Sequence, residues 1–301
     1  MEVEIAKVCG LCAGCKRAIV TTQAELNKGN KVTIFKEIVH NKNVNNMLQS
    51  MGAKIEEDIR NLRSDEIVII RAHGEPPKTY KTLNERNIHY VDCTCLNVEK
   101  THQEVGKFYS LGYKIIILGK HKGKLHPEVL GTYGWANNDA VLIEDEDDLV
   151  KLNEVNKKMY LICQTTFNIN KANVLIEKIT QLAKEKGLEL IVNKSICNAN
   201  ILINKSSKEL AENCDVMIVV GGRNSSNTKE LFNNIKNVCP TIMVEDINDY
   251  RKELIANNIK IPKHMKIGIT AGASTMREEL NELKNLIIKD CEEKSVDETS
   301  L

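Results

Sequence analysis

The chain has 301 residues, 42% of them hydrophobic and 28% charged, enough for one large domain or two to three small ones. A net charge of +1 supplies no field to draw nucleic acid or a membrane surface, and no apolar run approaches the roughly 20 residues that span a bilayer. The N-terminus, MEVEIAKV, starts with acids and lacks signal-peptide form, so the expected location is cytoplasmic, where ten cysteines point to thiols, metal or a cluster rather than disulfides.

In chain order, strands are expected at 3–8, 32–38, 67–71, 113–118, 140–143, 159–163, 188–192, 216–220, 241–244 and 267–270. Several are continuous apolar runs (IVII, KIIIL, VMIVV), the pattern of strands buried on both faces of a parallel sheet. Amphipathic helices lie between them: Leu175, Ile179 and Leu182 share one face, as do Met276, Leu280, Leu283 and Ile287. The expected class is α/β with mainly parallel sheets. Cysteine-bearing βα junctions recur roughly every 100 residues, which favours three pseudo-repeated units over one wide sheet.

Ligands of such folds bind at the carboxyl ends of strands. The first strand is followed by CGLCAGC, the second by EIVHN, and IVII by RAHG. HYV leads to DCTC, KIIIL to GKHKGKLHPE, and MYLI to CQTT. LIV leads to NKSIC, VMIVV to GGRNSSNT, and KIGI to TAGAS. A purely structural protein has no need of Cys, His and hydroxyl clusters at nearly every strand end.

Cys9, Cys12 and Cys15 have ferredoxin-like spacing, but no fourth cysteine followed by proline lies nearby, so the local loop is incomplete. One thiolate from each third of the chain would instead leave an iron open for substrate; zinc is the competing metal. Cys163, Cys214, Cys239 and Cys291 read as small buried hydrophobes. GGRNSSNT and TAGAST, each before a helix, suit phosphate or diphosphate, and neither Walker A nor G-x-G-x-x-G is present. His40, His73 and His126 share the strand-end setting and suit phosphate contacts or proton transfer. His89, His102, His121 and His264 lack it and are expected on the surface. Glu128, in a first helical turn after Pro127, is either a helix-dipole partner or a proton-donating acid. Residues 144–148 read as a solvated acidic loop capping the next helix, and 120–124 as a basic loop.

Together these motifs resemble one family, the 4-hydroxy-3-methylbut-2-enyl diphosphate reductases (LytB/IspH). GLCAGCKRAI, EIVHN, RAHG, DCTC, HPEVLGT, QTT, SIC, NSSNT and TAGAS match it in order across residues 3–288. The resemblance implies one 4Fe–4S cluster held by three cysteines, Cys12, Cys95 and Cys197, with Cys9, Cys15 and Cys93 as bystanders. It places the substrate diphosphate among His40, His73, His126, Ser225, Ser226, Asn227 and Ser274. Glu128 would deliver a proton, with His126 in the catalytic set and Thr165 beside the substrate hydroxyl. The implied reaction is two-electron reductive dehydroxylation to isopentenyl and dimethylallyl diphosphate, with ferredoxin or flavodoxin as donor. Three α/β units are implied around a central cluster: 13–95 (with 1–12 and 273–290), 96–196 and 197–272, then a loose tail over 291–301. Asn200, Ile203, Asn204 and Leu96 depart from the family pattern, and the segment before His126 is longer. The alternatives are a paralogous cluster reductase with another substrate and a non-catalytic redox sensor.

Overall fold

The computed structural model describes residues 1–259 and 264–297. The chain runs through β1 (Glu2–Ile5), α1 (Ala13–Asn27), β2 (Val32–Phe35), α2 (Lys42–Ser50), β3 (Lys54–Glu56), β4 (Ile67–Ile70), α3 (Pro77–Glu85) and β5 (Tyr90–Asp92). It continues through α4 (Leu96–Ser110), β6 (Lys114–Leu118), α5 (Pro127–Trp135), β7 (Ala140–Ile143), β8 (Met159–Cys163), α6 (Ile169–Glu185) and β9 (Leu190–Asn193). The last part holds α7 (Asn198–Ala211), β10 (Val216–Val220), α8 (Ser226–Ile235), β11 (Thr241–Val244), α9 (Tyr250–Ala256), β12 (Lys266–Ala271) and α10 (Arg277–Asp297).

The strands form three four-stranded sheets, and every pairing is parallel. Their orders are β3-β2-β4-β5, β7-β6-β8-β9 and β11-β10-β12-β1. Counted along the chain within each set, the order is the same each time, second-first-third-fourth. The N-terminal strand takes the fourth place in the last sheet, so the three-part repeat is circularly permuted. One compact unit, Met1–Cys15, Val39–Met47 and Asn198–Leu301, contains the sheet with β1. The other, Lys16–Ile38 and Leu48–Cys197, contains the remaining two sheets.

Alternation along β10 explains its wholly apolar run. Val216, Ile218 and Val220 pack with Leu254, Leu280, Leu283 and Ile287 on one face, while Met217 and Val219 meet Ile203, Leu210, Leu231 and Ile235 on the other. The expected face of α10 is therefore buried through Leu280, Leu283 and Ile287.

Several boundaries differ from expectation, most by one or two residues. The strand expected over 32–38 stops at Phe35, because Lys36 turns the backbone left-handed (φ 65°). The strand expected over 3–8 ends at Ile5. The three-residue β3, KIE, is too short and too polar to stand out in the sequence. Helix α10 extends to Asp297, past the start of the tail expected from 291; residues 298–301 lie outside the described residues.

Replacing a central β6 residue tests the sheet core. Ile116→Ala, at a site with no exposure, should lower the free energy of unfolding by about 2–5 kcal/mol in urea titration. Ile255→Ala, at a site 76% exposed on α9, should stay within about 0.5 kcal/mol of the parent.

Candidate active site

The repeat sorts the candidate residues by strand. After the first strand of each set come His40, His126 and Ser225; after the third come His73, Thr165 and Ser274; after the fourth come Cys95, Cys197 and Cys12. Each cysteine of the last group immediately precedes a helix: α4, α7 and α1.

In the unit holding residues 48–197, the centre is Glu128. Its side chain is 2% exposed, yet both carboxyl oxygens have partners. The Thr165 backbone N–H donates to Oε1 at 2.6 Å and the Thr165 hydroxyl to Oε2 at 2.8 Å. Burial outweighs these bonds and pushes the acid up to about 7. His126 caps α5: its Nδ1 accepts the Glu128 N–H at 3.2 Å. That bond requires the lone pair on Nδ1, so a neutral His126 carries its proton on Nε2. The His73 and His126 rings meet edge to face with centroids 5.5 Å apart. The Thr165 carbonyl accepts the backbone N–H of Cys197 at 2.9 Å, joining the acid's partner to a candidate ligand.

In the other unit, two turns are built around Thr228, which is fully buried. A Cβ at Gly221 or at Gly272 would stand 2.5 Å from Thr228 Oγ1, and Gly221 has φ +146°. Both turns therefore close tightly over the start of α8, where Ser225 accepts the Thr228 N–H at 3.3 Å. A Cβ at Gly222 would stand 2.5 Å from the His40 carbonyl, so the same turn abuts His40. The Asn227 Oδ1 and Ser274 Oγ atoms are buried without a hydrogen-bond partner among the described residues. Orphaned polar atoms at two helix starts are what an anion-binding loop presents before its ligand arrives. The Cys12 loop lies alongside: Leu11 and Cys12 N–H groups donate to the Thr275 and Ala273 carbonyls.

The three cysteines suit a thiolate-bound group. All are half-buried, and each stands next to the N–H groups that open the following helix. Hydrogen bonding from Cys15, working against burial, brings the Cys12 thiol down to about 6. The Asn97 amide donates to Cys197 Sγ at 3.3 Å, and Asn97 stands two residues after Cys95 on α4. Thiolate donors are the soft set that iron–sulfur clusters and zinc share. Cys163 and Cys214 behave differently: burial pushes their thiols up to about 12 and about 11.

Two expectations need correction. His102 is not a surface residue; it is 2% exposed on α4 and stacked on Trp135. The signal lay in the helix: Val98, Thr101, His102 and Val105 form one buried stripe at helical spacing. His121 is also drawn in. The backbone N–H groups of His121 and Lys122 donate to Glu144 Oε2, and Lys122 pairs with Asp145, so the basic loop is tied to the acidic one. The acidic run does cap the following helical turn, through an Asp145–Asp148 capping box.

Three parallel sheets, with thiols, imidazoles and a buried acid at their strand ends, define the class as an α/β enzyme with soft ligands and an acid–base group. The chain belongs to the LytB protein family, whose model matches residues 3–287. The 4-hydroxy-3-methylbut-2-enyl diphosphate reductase of Clostridioides difficile (strain 630) is 35% identical, over 91% of this chain and 95% of that one. Its counterpart from Campylobacter fetus subsp. fetus (strain 82-40) is 33% identical, over 96% and 100%. Among solved structures, the E-1-hydroxy-2-methyl-but-2-enyl-4-diphosphate reductase from Plasmodium falciparum has TM-score 0.84 at 29% identity, covering 95% of this chain and 87% of that one. Another, a (E)-4-hydroxy-3-methyl-but-2-enyl diphosphate reductase described as the terminal enzyme of the non-mevalonate pathway, has TM-score 0.70 at 29% identity, covering 96% of this chain.

The raised acid has a stability signature. Its stabilising contribution is complete below about pH 4.5 and is lost as pH rises through about 7. The parent should therefore lose about 1–3 kcal/mol relative to Glu128→Gln between pH 5 and pH 8.5 in denaturant titrations. A pH-independent difference would place the acid at its ordinary value.

Proposed function

We propose that this protein reduces (E)-4-hydroxy-3-methylbut-2-enyl diphosphate to isopentenyl and dimethylallyl diphosphate, the reaction for which its relatives are named. The observation that carries this reading is the buried Glu128, its carboxyl pushed up to about 7, held by Thr165 beside the Cys197 backbone, in a chain whose family is established along 3–287. In the balanced reaction the allylic C–O bond breaks and a C–H bond forms. Two electrons and two protons are consumed, and water leaves.

Cys12, Cys95 and Cys197 would hold one 4Fe–4S cluster. When bound, that cluster supplies the electrons and Lewis acidity. A ferredoxin or flavodoxin would deliver the electrons to the protein. The remaining work belongs to the chain. Ser225, Ser226, Asn227 and Ser274 take the diphosphate, with His40, His73 and the Nε2–H of His126 as further donors. This anchoring fixes the reacting end of the substrate and lowers the entropic part of the barrier. Glu128 is acidic enough to give up a proton and basic enough to hold one at neutral pH. Protonation at Oε2 reverses its bond with Thr165: the acid then donates to Oγ1, and the Thr165 hydroxyl hydrogen turns toward the substrate hydroxyl. The closed surroundings of Glu128 keep water from short-circuiting that transfer.

Anaerobic reconstitution with iron and sulfide, followed by reduced-viologen oxidation on adding the diphosphate, tests the reading. Glu128→Gln should lower kcat at least about 100-fold. For the parent, kcat should fall as pH rises through about 7, as the acid loses its proton. A parent with full absorption near 400 nm and no turnover would instead point to another substrate, and to the departures Asn200, Ile203 and Asn204 on α7. Ligand assignment is read independently of activity. Cys12→Ser, Cys95→Ser and Cys197→Ser should each lose most of the absorption near 400 nm, while Cys163→Ser should keep it.

A further inference from the structure

Helix α5 carries glycines at 131 and 134, one turn apart. A Cβ at Gly134 would stand 2.5 Å from Pro76 Cβ, and one at Gly131 would stand 3.1 Å from His102 Nε2. Across the ring, a Cβ at Gly74, where φ is +69°, would stand 2.6 Å from His102 Cε1. The His102 imidazole thus lies between two backbones, each in contact with it because neither carries a side chain. Its ring stacks on Trp135, with centroids 5.5 Å apart and planes at 20°. The Trp135 indole N–H donates to the Glu75 carbonyl at 3.2 Å, closing a second link between α5 and the 71–76 loop.

The two backbones are not arbitrary ones. Gly74 directly follows His73, and Gly131 lies one turn beyond Glu128 on the helix that His126 caps. We propose that His102 is a positioning residue: its ring is the spacer that sets the separation of His73 from His126 and Glu128. It would thereby fix where a bound diphosphate stands relative to the proton donor; the inference rests on the function proposed above.

Two further observations agree. Burial lowers the imidazole to about 4, so the ring is neutral at working pH. Its Nε2 is buried with no hydrogen-bond partner among the described residues. The site therefore uses the thickness and flatness of the ring rather than its charge. A branched aliphatic side chain would be too thick for the gap, and a small one would leave the loop free to settle against α5.

The test compares the reconstituted parent with His102→Gln, His102→Ala, Gly131→Ala and the Gly131→Ala/His102→Ala pair. Three quantities are read: KM, the ratio of the two isomeric products, and affinity for inorganic pyrophosphate by calorimetry. None of them depends on how much of the sample is folded. In each single variant, KM and the pyrophosphate Kd should rise about tenfold and the product ratio should shift. The double variant should be milder than the two singles combined, because the added methyl then fills space the ring has left. Unchanged KM, product ratio and pyrophosphate Kd, with only a lower unfolding temperature, would overturn the proposal. His102→Gln keeps part of the bulk and decides the matter if His102→Ala does not fold. A parent that binds pyrophosphate but reduces no substrate would remove the proposed function and leave His102 to be judged on Kd alone. A parent that neither binds pyrophosphate nor turns over would remove both.

Discussion

Central parallel strands covered on both faces leave little room for polar side chains along their length, and much of this structure follows from that. Residues such as Ile69, Ile116 and Ile218 have no exposure on either face of their sheets. Chemistry is displaced to the one place where the chain must turn into a helix, with backbone N–H groups unpaired. Cysteine, histidine and hydroxyl side chains therefore gather at the carboxyl ends. Because all three sheets share one strand order, equivalent ends carry equivalent chemistry: three thiols follow the fourth strands. First and third strands lead instead to imidazoles and hydroxyls.

The same constraint sets the state of Glu128. A carboxyl at the start of a helix in water would ionise near its ordinary value, favoured by the helix dipole. Here α5 begins inside the protein, and loss of hydration outweighs both the dipole and the two hydrogen bonds from Thr165. The hydroxyl and amide of one residue keep the carboxyl oriented without making it a strong acid. Cys12 shows the opposite balance, since hydrogen bonding from Cys15 prevails over burial and favours the thiolate. A carboxyl made harder to ionise and a thiol made easier to ionise are opposite departures produced by the same two effects, burial and hydrogen bonding.

How much of this was legible in the sequence depends on range. IVII, KIIIL and VMIVV announce buried strands because the signal is contained in four or five consecutive residues. The cysteines and histidines at their ends were readable for the same reason. The sheet order was not, because pairing Glu2 with Lys266 leaves no local trace. β3 was invisible because three residues with one apolar member carry no period. His102 is misplaced because it stands at no strand end, the only setting by which the histidines are sorted. Only its place in the stripe with Val98 and Val105, opposite glycines from two other segments, shows that it is packed. The pairing of the 120–124 loop with the 144–148 run is equally hidden, since neither run alone reveals its partner.

The permuted repeat also has a consequence for the order in which the molecule is made. β1 is made before every other strand of its sheet, yet its place beside β12 exists only after residue 271 has been synthesised. The segment carrying Cys12 must wait for the same event, since its N–H groups pair with carbonyls at 273 and 275. Residues 48–197 contain every strand of the second sheet and can organise much earlier, with Cys95 and Cys197 already at their helix starts. The nascent chain therefore carries β1 and the Cys12 segment unpaired until the strand at 266–271 and the turn after it have been made.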